Sequence, residues 1–222
     1  MKNIIIQNFI TKMTNPANSA HLFKFDPNTM EVPIEIHSKN ETYEYLDLSD
    51  QLKLIFENKV SQVLKNNTSE GLIYFLYQKN NQQIIPLYIG IANKSGKSNK
   101  ISSLFSKKEK SRPRWDYTKN GNFHLSDINT LLLNNGYNDV EREKAKGKTT
   151  WLKSIFANSI VPIKNGELPK LNHEIFLSVD EWNFESVSSI PNLGHTSLYC
   201  EEAILIDCFT EFYANSLLNK IH

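Results

Sequence analysis

The chain of 222 residues has two cysteines, three arginines and no long apolar run. Cys200 and Cys208 fall on one expected helix, where they cannot face each other. That excludes a disulfide framework, and no Cys/His spacing suits a structural metal, so a reducing cytoplasm is the expected setting. No apolar stretch reaches membrane-spanning length, and the opening Met1-Lys2-Asn3-Ile4-Ile5-Ile6 is too short for a signal peptide. There is no internal repeat and no low-complexity tail. One run, Gly96-Lys97-Ser98, evokes a triphosphate-binding loop, but the upstream glycine is missing, because position 91 is Ile91.

What is present is a core and a charge asymmetry. Hydrophobic residues make up 40% and aromatic residues 11%, enough for one elaborated domain or two small ones. The net charge is only +1, but it is unevenly spread. Nine basic and two acidic residues lie between Lys94 and Asn120. Seven acidic residues and only Lys39 lie between Asp26 and Asp50, and eight acidic residues with no Lys or Arg between Glu174 and Glu211. Such a chain can carry a basic groove on a neutral body; it can equally carry a solvated lysine-rich loop. Two of the three arginines sit in Ser111-Arg112-Pro113-Arg114-Trp115. In a lysine-rich chain that placement suggests a need for the planar guanidinium fork that phosphate prefers.

The strongest pattern is Gly71-Leu72-Ile73-Tyr74-Phe75-Leu76-Tyr77, a polar gap from Gln78 to Gln83 with its turn over Lys79–Gln83, then Leu87-Tyr88-Ile89-Gly90-Ile91. It predicts a β-hairpin, apolar on both faces and therefore central. Pro86 opens the second strand and Gly90 ends it, where the backbone must turn or approach something closely. Residues 1–48 read as irregular or mixed, with Ile34–His37 as a short edge strand. A helix from Gln51 to Lys65 follows the capping run Asp47-Leu48-Ser49-Asp50. Shorter helices are expected after Ser98, over 126–134 and after Thr149-Thr150. Ile175-Phe176-Leu177-Ser178-Val179 reads as a strand joined to the hairpin sheet. In the last helix, Ser197 to Tyr213, a period of 3.6 points Leu198, Leu205 and Phe209 inward, with Glu202 on that stripe and Glu201 nearly so. A carboxylate on an apolar face must pair, bind a metal or hold a proton. His21, His37, His173 and His195 read as structural.

Leu72-Ile73-Tyr74 and Tyr88-Ile89-Gly90 together resemble the paired triplets of the GIY-YIG nuclease family. The second triplet matches well; the first lacks its glycine, which stands one residue early as Gly71, and thirteen residues separate the two tyrosines. The polar turn can absorb the extra length. The order tyrosine, tyrosine, basic residue, histidine, glutamate, asparagine is kept over residues 70–222, with an insertion at about 106–170. Residues 1–69 form an N-terminal arm. The resemblance implies an α/β (α+β) fold, a small antiparallel sheet flanked by helices.

It also implies metal-dependent hydrolysis of double-stranded DNA, here by a site-specific restriction endonuclease. Glu202 would carry Mg²⁺ or Mn²⁺, Tyr74 would act on the attacking water, and Tyr88 or His124 would assist. Asn219 would brace the site. The family's arginine is displaced: the position on the helix holds at best Lys100, and Arg114 from the next loop is the substitute, its charge also lowering the Tyr74 pKa. Arg114 could instead stack on Trp115, and His124 could cap the helix that follows it. Lys94, Lys97, Lys100 and Arg112 would contact phosphates. Cutting both strands with one site per chain implies a homodimer or sequential nicking. The alternatives are a non-catalytic nucleic-acid-binding module on a degenerate version of this fold, or a nuclease of the repair or homing type.

Overall fold

The structure is a computed structural model that describes residues 1–39, 41–94, 154–157 and 168–219, with the backbone alone for 34–39 and 41–45. In chain order the elements are α1 (Lys2–Met13), β1 (Ser19–His21), β2 (Ile34–Lys39), β3 (Glu41–Leu46), α2 (Asp50–Lys65), β4 (Ser69–Asn80), β5 (Gln83–Asn93), β6 (Glu174–Asn183) and α3 (Leu198–Tyr213). Four strands make one antiparallel sheet in the order β1-β6-β4-β5, and β2 with β3 forms a separate ribbon. The fold is therefore α+β, as expected.

The pleat of β4 sorts the core into two layers. Leu72 and Leu76 face α2, in a cluster with Leu52, Phe56, Val60 and Val63. Ile73, Phe75 and Tyr77 face the other way, toward α1 and α3. Because β4 is covered on both faces, its run is almost wholly apolar. The expected helix over 51–65 is α2, capped by the Ser49 hydroxyl, which accepts from the Leu52 N–H at 3.1 Å.

The N-terminal segment differs from its reading. Residues 2–13 are helical, and Ile5, Ile6, Phe9, Ile10 and Met13 are buried against α3 and the sheet. Four isoleucines disguise this helix, since β-branched residues favour helix only weakly and burial decides here. Its first turn is tied to α3 by Lys2, whose ammonium lies 2.8 Å from both Asp207 and Glu211. Ile34–His37 does form a strand, but in the separate ribbon with β3, which the sequence reading missed. Residues 1–69 thus supply β1 to the main sheet and two helices to its faces.

The hairpin is present with three corrections. Its loop is the two residues Asn81-Gln82, with Asn81 at φ +55°, a left-handed value that asparagine tolerates. The second strand is an edge strand, not a central one. It also runs on past Gly90 to Asn93. Pro86 is accommodated beside a bulge: Tyr77 faces Pro86 while Leu76 faces Tyr88, which leaves Leu87 as the extra residue.

At the middle of the sheet Phe75 is fully buried and its ring meets Phe9 at 5.3 Å, Tyr77 at 5.1 Å and Phe209 at 5.8 Å. Phe75→Ala is expected to cost about 3–5 kcal/mol, read as a lower urea midpoint with an unchanged slope.

Candidate active site at the free edge of β5

Tyr74 and Tyr88 lie on the face of the sheet that α2 covers, packed at the border of its core. They are diagonal neighbours rather than direct partners, for Tyr74 faces Gly90 and Tyr88 faces Leu76. Their rings stack with centroids 5.9 Å apart and an interplanar angle of 26°. Gly90 makes this possible. A Cβ there would collide with the Cζ and hydroxyl oxygen of Tyr74. Of the two reasons offered for a glycine at this place, close approach is the one the structure shows.

Glu202 reaches the same place from α3, which packs along β5. The Ile91 N–H donates to its carboxylate. Burial pushes the Glu202 carboxyl up to about 7, against which the Ile91 bond pulls only partly. The two phenols feel the same surroundings. Burial lifts Tyr74 well above the ordinary tyrosine value, and the charges of Tyr88 and Glu202 lift it further. Tyr88 is raised by burial and by Glu202, and is eased back by the hydrogen bond from Tyr74.

Asn219 follows α3 and clamps the next outward-facing residue of β5. Its Oδ1 accepts from the Ile89 N–H at 2.9 Å and its Nδ2 donates to the Ile89 carbonyl at 2.7 Å. One step further, the Leu218 N–H donates to the Leu87 carbonyl at 2.7 Å. Leu87, Ile89 and Ile91 therefore have edge-facing groups satisfied in turn by Leu218, Asn219 and Glu202. Tyr74, Tyr88 and Glu202 lie together, and Asn219 bonds the backbone of the strand that carries Tyr88. Arg112, Arg114, His124, Lys97, Lys100 and the helices expected between 98 and 153 lie outside the described residues, apart from the last turn at 154–155. Lys94 is described, and its Nζ donates to the Asn66 carbonyl at 2.6 Å.

The deeper carboxylate of α3 is Glu201, not Glu202. It is fully buried and accepts from Ser188 Oγ at 2.7 Å, Ser189 N–H at 2.7 Å and Thr196 Oγ1 at 2.9 Å. It ties the loop before α3 to the first turn of that helix. Glu70, the extra residue of a bulge in β4, does the same from the sheet: its carboxylate accepts the Leu198 N–H at 2.7 Å and lies 2.9 Å from His195 Nε2. The signal for Glu201 was its inward phase on the helix; the signal for Glu70 was absent, because a bulge is not written in hydrophobic alternation. His195 and His21 are structural, the latter stacked on Phe176 with centroids 4.3 Å apart.

Glu202 suits a divalent cation. A carboxylate that accepts the Ile91 N–H retains further lone pairs, and among the described residues no Lys or Arg pairs with it. An oxygen donor whose charge is costly where it stands is one that Mg²⁺ or Mn²⁺ would relieve. Among the described residues no group of three or more His, Cys, Asp and Glu forms, so such an ion would complete its shell with water. Comparison with known proteins adds no assignment: no family model, curated protein or solved structure matches the chain.

The raised Glu202 carboxyl links stability to pH. Below about 4.5 the group is protonated whether folded or not, and its folded-state advantage is complete; that advantage is lost as pH rises through about 7. Glu202→Gln is expected to remove this decline, so that its urea midpoint exceeds that of the wild type at pH 8 and converges with it below pH 4.

Proposed function

We propose that this chain is a metal-dependent endodeoxyribonuclease of the GIY-YIG kind, a site-specific restriction enzyme acting on double-stranded DNA. The observation that carries the reading is the convergence of Tyr74, Tyr88 and Glu202 at the free edge of the sheet: the two rings lie 5.9 Å apart, Tyr74 lies over Gly90, and Glu202 bonds the Ile91 N–H beside it. The two bonds from Asn219 to the Ile89 backbone support its proposed role as a brace.

The residues divide the work as follows. Both phenols stay neutral in their buried setting, so they orient the attacking water and a phosphate oxygen by hydrogen bonding; ionised phenolate as the base is disfavoured. The two phenols are hydrogen-bonded to each other, so one hydroxyl proton of the pair is left to be offered to substrate. Glu202 would hold Mg²⁺ or Mn²⁺, which when bound stabilises charge on the phosphate and the leaving oxygen. Arg114 would add a guanidinium at the same phosphate and His124 would carry the proton. The basic stretch from Lys94 to Asn120, with Lys97, Lys100 and Arg112, would hold the backbone of the duplex. Two copies acting on opposite strands, or one copy nicking each in turn, would complete the cut.

One observation favours the second reading, a non-catalytic DNA-binding module. Glu202 and Asn219 both bond the backbone of β5, a structural task that would keep them without chemistry. Incubation with mixed plasmid and phage DNA plus Mg²⁺ separates the two. The nuclease reading expects discrete fragments that EDTA abolishes, and a rate roughly 1,000-fold lower in Glu202→Gln, the scale of losing a transition-state charge stabiliser. DNA bound with a steep salt dependence but left intact would establish the binding module instead.

A further inference from the structure

Tyr199 lies one helical turn before Glu202, on the same side of α3. Tyr199 is 57% exposed as a residue, yet its hydroxyl is held by Asn93 Nδ2 at 2.7 Å, and Asn93 is only 3% exposed. The arrangement is unusual for a surface tyrosine, whose hydroxyl ordinarily faces water while the ring packs inward. Here the polar end is anchored and the apolar face is presented. A ring fixed at both its Cα and its hydroxyl has little rotational freedom left to lose on contact, which favours binding.

Its place matters as much as its exposure. Asn93 is the next residue along β5 after Ile91 on the same side of the pleat, so Asn219, Glu202 and Tyr199 engage Ile89, Ile91 and Asn93 in regular steps. The basic run of the sequence begins at Lys94, directly after the last residue of β5. A stretch rich in Lys and Arg thus follows, in sequence, the end of the strand where the ring stands.

We infer that Tyr199 is a DNA-contact residue, its ring packing against the base or sugar of the nucleotide beside the scissile phosphate. The inference rests on the nuclease reading above for the identity of its ligand. Stacking of this kind tolerates any base, so the contact supplies affinity and register rather than sequence discrimination. It also explains why a solvent-facing ring is locked: a mobile ring would sweep through the path of the strand.

The test uses the full chain and the plasmid DNA of the fragment assay, with Ca²⁺ in place of Mg²⁺ for binding and Mg²⁺ for cleavage. Tyr199→Ala is expected to weaken binding about 10-fold and to raise KM by a similar factor, the loss falling mainly on KM. Tyr199→Phe keeps the ring and is expected to stay within about 3-fold of the wild type. Tyr199→Leu retains apolar bulk without a π-face; it should resemble the alanine variant, and serves if that variant melts early. Binding by Tyr199→Ala equal to the wild type would overturn the inference, as would equal damage from Phe and Ala, which would assign the effect to the Asn93 bond. A wild type that binds without cutting, beside an alanine variant that does not bind, would uphold the contact while rejecting hydrolysis. A wild type that neither binds nor cuts would reject both.

Discussion

The organising constraint is the open side of β5. A strand at the margin of a sheet leaves alternate N–H and C=O groups without partners, and such an edge invites association with other chains. Here the need is met from within. Leu218 takes the carbonyl of Leu87, Asn219 takes both groups of Ile89, and Glu202 takes the N–H of Ile91. The same satisfaction that quiets the edge draws an acid to the two phenols and an amide to the strand beside them. The proposed chemistry is built from groups that the strand would have required in some form.

That construction depends on where α3 begins. Its N-terminal turn is held by Glu201 to the preceding loop and by Glu70 to the bulge in β4, so two carboxylates from different directions hold the first turn, immediately before Glu202. A site held by elements is more exact than one held by loops. The Lys2 ammonium between Asp207 and Glu211 ties the far half of the helix to α1, although those side chains are half-exposed and each pair contributes little alone.

Much of this was legible in the residues. The hairpin carried continuous apolar runs on either side of a polar turn, α2 and α3 carried period-3.6 patterns, and the phase of α3 placed Leu198, Leu205 and Phe209 inside and Cys200, Asp207 and Glu211 outside, as found. The tyrosines, Glu202 and Asn219 could be singled out because they occur in a fixed order along the chain. What was illegible had physical reasons. The helix α1 is built from β-branched residues whose local preference opposes the state that packing imposes. The position of β5 at an edge could not be inferred, because its outer groups are covered by residues about 130 positions away, and hydrophobicity does not report that cover. The rank of Glu201 over Glu202 in depth turned on one step of helical phase, finer than the pattern resolves.

The separation of 130 residues between Ile89 and Asn219 has a consequence for synthesis. A polypeptide emerging from the ribosome displays both phenols well before the acid and the amide are added to the chain. A chain that stopped between Tyr88 and Glu202 would hold only the strand half of the proposed centre. The two halves meet only when the helix made later docks along the edge of the strand made first.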